Sequence, residues 1–199
     1  MTLSRDRVAV ASLAGLAAFV VLVVVQHPLR SGDLPAGEHF VSEYALGSTA
    51  ALQVVAFLCW AVSLGLAARL AAGAVTTGTL ALAATGAVLA GCFATVTVAG
   101  ELPEGVTYTT AGRLHNLGSL LIFFGLLVAA PASTRRQKRR GYRLAVLGLA
   151  VALFAITPIL IALGIDSPGW GQRAFIAVGI AWQALFLAEV RGSAREPPA

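Results

Sequence analysis

The chain has 199 residues, 58% of them hydrophobic and only 12% charged, with a mean hydropathy of +0.84; a soluble domain carries about 25% charged residues, so a water-facing fold is excluded. The formal net charge of +5 and pI near 10.0 do not signal nucleic acid, because the basic residues gather in one short segment between apolar runs and near the ends, as orientation signals do. At about 20 residues per crossing, six spans and short loops use nearly the whole length, which predicts an all-α, polytopic integral membrane bundle of six transmembrane helices with no separate soluble domain.

In chain order, Arg5-Asp6-Arg7 precedes an uncharged run that predicts a first span over about 8–26. A cleaved signal peptide would have a shorter apolar core ending in a small-x-small site, and Gln26-His27-Pro28-Leu29-Arg30 supplies none, so a retained helix is expected. Pro28, Gly32, Pro35 and Gly37 then break the chain into a surface loop that carries Asp33 and Glu38. A second span is predicted over about 43–69, opened by Ser42 as a cap and Glu43 in the first turn, where a carboxylate suits the positive end of the helix dipole.

The third span is expected over about 75–98. Its Ala83, Ala87, Gly91 and Thr95 recur every four residues, a small-residue stripe that lets a neighbouring backbone approach closely. Cys59 and Cys92 each lie within an apolar run and read as buried free thiols. An acidic loop with Glu101 and Glu104 leads to a fourth span over about 113–131, stopped by Pro131.

Arg135-Arg136-Gln137-Lys138-Arg139-Arg140 follows, with Arg143 close behind. Six positive charges and no acid in a short inter-span loop label the cytoplasmic side. The same block is expected to attract anionic lipid head groups of the inner leaflet through Arg135, Arg136, Lys138, Arg139 and Arg140. The fifth span is predicted over about 142–165, kinked at Pro158, the turn Asp166-Ser167-Pro168-Gly169 leads to a sixth over about 170–190, and 191–199 reads as a disordered tail.

With the basic loop inside, both termini fall inside as well, in a multi-pass protein of the cell membrane. That side then holds 11 basic residues, at positions 5, 7, 69, 135, 136, 138, 139, 140, 143, 191 and 195, against three acids. The outer side holds Arg30, Arg113 and Arg173 against Asp33, Glu38, Glu43, Glu101, Glu104 and Asp166. A missed or invented span would spoil this alternation.

All three histidines, His27, His39 and His115, fall at the outer ends of spans, level with Glu43, Arg113, Asn116, Gln172 and Arg173, and the inner half of the bundle carries no comparable set. Polar groups at membrane depth are costly and mark function, so His39, Glu43, Arg113, His115, Asn116, Gln172 and Arg173 form a candidate outward-facing polar pocket at spans 2, 4 and 6. Arg173 opens a span with no charge from Ala174 to Ala188, and Glu43 stands at the matching end of span two, so these two are expected to pair, with His39 and His115 alongside.

The His and Ser-Glu opening of span two (His39, Ser42, Glu43), the Gly-x-x-His opening of span four (Gly112-Arg113-Leu114-His115) and the Gly-x-Arg opening of span six (Gly171-Gln172-Arg173) resemble the prokaryotic membrane family catalogued as domain of unknown function 998. The resemblance covers about Val8 to Val190. It implies a six-helix integral membrane protein and supplies no reaction.

Several chemistries fit the residues in part. A metal-dependent hydrolase acting on membrane lipid would draw ligands from His39, His115 and either His27 or Glu43, although no local His-x-x-x-His pair exists. A b-type haem electron carrier would pair His39 with His115, without an inner histidine for a second haem. A small-solute transporter would need midplane charge, and only Gln53, Thr85, Thr157 and Gln183 lie between the span ends. No nucleotide loop, nucleophile elbow or haem-attachment motif occurs, and the sequence specifies no cofactor.

Overall fold

The computed structural model describes residues 4–99, 101–135, 139–162 and 168–193. Within them the chain forms six α-helices: α1 (Arg5–Arg30), α2 (Ala50–Leu70), α3 (Ala74–Cys92), α4 (Thr110–Thr134), α5 (Arg140–Ala162) and α6 (Pro168–Ser193). Among these described residues the only extended pairing is a single bridge between Val98 and Glu101. In lipid each backbone N–H and C=O must be bonded within its own segment, which selects helices for these apolar runs. Among the described residues, five helices, α1, α2, α3, α4 and α6, are long and apolar enough to cross a membrane.

Side-chain caps start the helices where the sequence supplies them. Ser4 Oγ accepts from the Arg7 amide ahead of α1, and Thr109 Oγ1 accepts from the Gly112 amide ahead of α4. Two prolines read as breakers lie inside helices instead: Pro28 sits in the last turn of α1 and Pro131 in the last turns of α4. Each falls at the wet end of its helix, where water or a side chain can meet the carbonyl that proline leaves unbonded.

The second span differs from expectation at its start. Val41–Ala45 forms a separate 3-10 turn, and α2 begins only at Ala50. Phe40 rather than Ser42 precedes that turn, without a side-chain cap, and Gly47 at φ +95° turns the chain between the two elements. The third span also ends early. Its helix stops at Cys92, which is exposed, and Phe93 continues in extended conformation. Thr95 therefore leaves the helical stripe and bonds Thr97 Oγ1 at 2.8 Å. Cys59 is half-buried, and both thiols are free.

The remaining stripe packs as expected of small residues. Ala83, Ala87 and Gly91 are buried, and α3 meets α4 where Gly86 faces Gly118. A Cβ on Gly118 would lie 2.6 Å from the Gly86 carbonyl oxygen, so the two backbones touch directly. Helices α1 to α4 pack side by side in chain order, α6 lies against α1, and α5 lies chiefly against α6. The line between α4 and the α5–α6 pair is the loosely packed seam.

The core has a polar staple that the sequence hides. Ser12 and Ser63 exchange hydroxyl-to-carbonyl bonds of 2.7 and 2.6 Å, Gln183 Nε2 donates to Ser63 Oγ at 2.8 Å, and Trp60 Nε1 donates to Gln183 Oε1 at 3.1 Å. This ties α1, α2 and α6 together beneath the Phe19–Trp60 stack, whose ring centroids are 4.5 Å apart. Both ends of the bundle are polar. At the basic end, Arg5 donates to the Leu70 carbonyl, Arg191 pairs with Asp6 at 2.9 Å and Arg139 with Glu189 at 3.6 Å.

Helix α6 continues to Ser193, into the stretch read as a tail. The rest of that tail, the basic residues Arg136 and Lys138, the turn residues Asp166 and Ser167 and the side chain of Pro158 lie outside the described residues.

Candidate functional site

The opposite end of the bundle is built from four pieces of chain. The last turns of α1 bring His27 and Arg30, the loop after it brings His39, and the 3-10 turn brings Glu43 and Tyr44. Helix α6 opens with Gln172 and Arg173. Gly169 lets that opening seat on the loop, its amide donating to the Gly37 carbonyl at 3.0 Å, where any side chain would strike the backbone of Ala36 to His39.

Arg173 is the hub. Its Nε–H donates to His27 Nε2 at 3.0 Å, one terminal nitrogen donates to the carbonyls of His39 at 2.6 Å and Gly169 at 3.1 Å, and the other donates to the Tyr44 hydroxyl at 2.9 Å. The guanidinium also lies 5.6 Å from the Tyr44 ring centroid, within cation–π range. An arginine can only donate, so His27 Nε2 accepts, and the proton of that ring sits on Nδ1, which donates to the Val23 carbonyl at 2.9 Å. One bonded cluster thus joins α1, the 3-10 turn and α6.

Glu43 belongs to a second cluster. Its side chain is fully buried, with Oε2 2.7 Å from His39 Nδ1 and 3.0 Å from the Ala99 amide that donates to it. Ala99 holds φ +53°, a left-handed conformation uncommon for a residue with a Cβ, and that strained turn aims its amide at the carboxylate. The expected Glu43–Arg173 pair is therefore replaced by two arrangements, a carboxylate on a histidine and an amide, and a guanidinium on neutral acceptors. The reason is geometric: Glu43 and Tyr44 are neighbours on a tight turn, and it is Tyr44 whose side chain reaches Arg173.

His115 is buried, at 2% exposure. Its Nδ1–H is shared between the Ala90 carbonyl at 3.1 Å and the Phe93 carbonyl at 2.8 Å, so it satisfies the end of α3. Arg113 is exposed and makes none of these bonds. Asn116 lines a cavity of about 440 Å³ between the 3-10 turn, α2, α4 and α6. Its polar lining is uncharged: Ser42, Asn116, Ser119 and Gln172, the last accepting from the Val41 amide at 2.6 Å. Its walls are aromatic, with Phe57, Trp60, Phe123 and Phe175.

A metal centre made from His27, His39 and His115 does not assemble. Among the described residues no three His, Cys, Asp or Glu side chains converge as ligands. Both ring nitrogens of His27 are already bonded, one to a cation, and His115 is turned toward the end of α3. Of the midplane polar residues, Gln53 Oε1 accepts from Gln26 and Gln183 is in the staple, whereas Thr85 bonds back to the Ala81 carbonyl. The side chain of Thr157 lies outside the described residues.

Sequence reasoning missed Tyr44, Ala99 and Arg30. Arg30 is buried, chelates Asp33 through bonds of 2.8–3.1 Å, and donates to the Leu46 carbonyl and Thr49 hydroxyl. That bond holds the exposed Asp33 carboxyl below its ordinary value. The signal available was an arginine closing an apolar helix with an aspartate three residues on.

The fold and this end of the bundle define a class, a polytopic helical membrane protein with a bonded polar network above an aromatic cavity. A family model matches residues 13–189, and the chain belongs to that family, DUF998, described as protein of unknown function. No curated protein and no solved structure matches the chain.

Proposed function

We propose that the protein crosses the cell membrane six times, with both termini and the 135–143 loop in the cytoplasm, and that its outward-facing cavity binds the uncharged polar end of an amphiphilic molecule drawn from the outer leaflet. Six crossings are supported by connectivity. Helix α4 ends at the basic end, and α6 begins beside the loop at the other end, a connectivity that favours a crossing by α5. Its 23 residues reach about 34 Å at 1.5 Å per residue, against a hydrocarbon core of about 30 Å. The 11 to 3 distribution of basic residues supports the orientation.

The observation that carries the binding reading is the chemistry of the cavity. Hydroxyl and carboxamide groups face it from the 3-10 turn, α4 and α6, aromatic rings form its walls, and Arg173 and Glu43 beside it are each held by hydrogen bonds to other groups. Such a site matches a ligand with hydroxyl or amide groups at one end and hydrocarbon at the other, and its volume is that of a small-ligand pocket. The bonded groups Arg173, His27, Tyr44, Glu43 and His39 form its frame.

The test is photocrosslinking in reconstituted membranes with a diacylglycerol that carries a diazirine on one acyl chain, a neutral probe of the stated chemistry. Adducts are expected on peptides containing Phe57, Trp60 or Phe123, and Asn116→Leu together with Ser119→Ala should reduce their yield several-fold. Adducts spread evenly over lipid-exposed positions such as Val21 and Val24, unchanged by the substitutions, would overturn the proposal.

A further inference from the structure

The seam between α4 and the α5–α6 pair holds a second and larger cavity, of about 730 Å³, in the half of the bundle nearer the basic end. It is amphipathic along its length. Leu126, Leu147, Phe154 and Phe175 line the deeper part, and its polar residues, Thr134, Arg140 and Arg143, come from the helix ends that face the basic loop. Arg140 and Arg143 are three residues apart on α5 and so share one face of the helix. Among the described residues neither makes an ion pair, whereas Arg139 beside them is held by Glu189. Among the described residues, no acid lines the cavity.

Phe175 borders both cavities, and its ring packs on Phe123 with centroids 4.8 Å apart. The two cavities differ in their polar chemistry. One cavity offers neutral groups, the other two cations that have no ion-pair partner among the described residues.

We propose that this groove is a binding site for an anionic phospholipid of the leaflet at the basic end, its phosphate held by Arg140 and Arg143 and one acyl chain laid along α5 against Leu147 and Phe154. Guanidinium forks suit phosphate oxygens by geometry and charge. A lipid supplies in one molecule the anion that the two arginines lack and the hydrocarbon that an open seam between α4 and α5 requires. It would also complete the contact between α4 and α5, which the protein's own side chains leave sparse.

Native mass spectrometry of the full chain, released from nanodiscs of equal parts phosphatidylglycerol and phosphatidylcholine, reads the proposal directly. Wild-type protein should retain phosphatidylglycerol in preference to phosphatidylcholine, by about thirtyfold if each arginine contributes as a basic residue does at an anionic surface. Arg140→Gln with Arg143→Gln should bring that preference to near parity. Because neutralising the loop also bears on insertion, Ala150→Phe provides an independent arm: it fills the groove, keeps every charge, and should remove the retained lipid as well. If both variants retained phosphatidylglycerol as the wild type does, the groove would not be the site. Loss in the charge variant alone would equally overturn it, placing the lipid on the loop surface outside the groove.

Discussion

Arg173 shows how a partly buried cation can be stabilised without a carboxylate. Its donors meet a ring nitrogen, two carbonyls and a phenol, all neutral, and each bond of a charged donor in a partly buried site contributes about 1.5–3 kcal/mol relative to leaving the group unmatched. The charge reversal Glu43→Arg with Arg173→Glu would conserve net charge yet place an acceptor-only carboxylate against the carbonyls of His39 and Gly169, while leaving His39 and the Ala99 amide facing a cation. The double variant is expected to be less stable than either Glu43→Gln or Arg173→Lys, measured as the midpoint of thermal unfolding in detergent. Recovery of wild-type stability by the reversal would restore the direct Glu43–Arg173 pair that the sequence suggests. The sequence places His39, Glu43 and Arg173 at one end of the bundle, but the choice of partner turns on the 3-10 turn, whose tight bend cannot be read from Ser42-Glu43-Tyr44 alone.

Among the helices, close packing is concentrated at α3 and α4. A Cβ on Gly118 would meet the Gly86 carbonyl at 2.6 Å and the Ala90 amide nitrogen at 2.7 Å, both backbone atoms that cannot swing aside. Gly118→Ala is therefore expected to push the helices apart and to destabilise by about 1–3 kcal/mol. Gly65 in α2 meets nothing within 4 Å of an added Cβ, so Gly65→Ala should be neutral or stabilising by up to about 1 kcal/mol, through the entropy that glycine loses in a helix. Unfolding of the two variants side by side checks the contrast, and equal effects would show that helix propensity rather than contact governs. The stripe Ala83, Ala87, Gly91 was legible because four-residue spacing survives any uncertainty in rotation. The ends of the elements were not. Pro28 and Pro131 read as stops yet lie within helices, since a proline near the wet end of a helix breaks a bond that water or a side chain can replace, and Cys92 reads as mid-span yet ends α3.

At the scale of the molecule, the all-helical membrane class was the most legible property, because apolar length and composition do not depend on any single contact. The seam beside α4 was invisible, as no periodicity records which helices fail to touch, and the Ser12–Ser63–Gln183 staple was hidden because isolated hydroxyls and amides carry no distinctive spacing. The orientation proposed from the charge sum can be tested on residues that the fold does not need. Gly32 and Glu104 are exposed at the site end, and Arg69 is exposed at the basic end; none of the three makes a side-chain bond to another element. Cysteines placed singly at Gly32, Glu104, Arg69 and Gln137, in a background with Cys59→Ser and Cys92→Ser, should divide into two classes when intact cells meet a membrane-impermeant maleimide. Those at Gly32 and Glu104 are expected to react, and those at Arg69 and Gln137 only after the membrane is opened. The inverse pattern would reverse the protein in the membrane and turn the cavity lined by Asn116 and Gln172 toward the cytoplasm. Reaction at Gln137 with protection at Arg69 would instead break the even count of crossings between them, since α3 and α4 together must return the chain to the side from which it left.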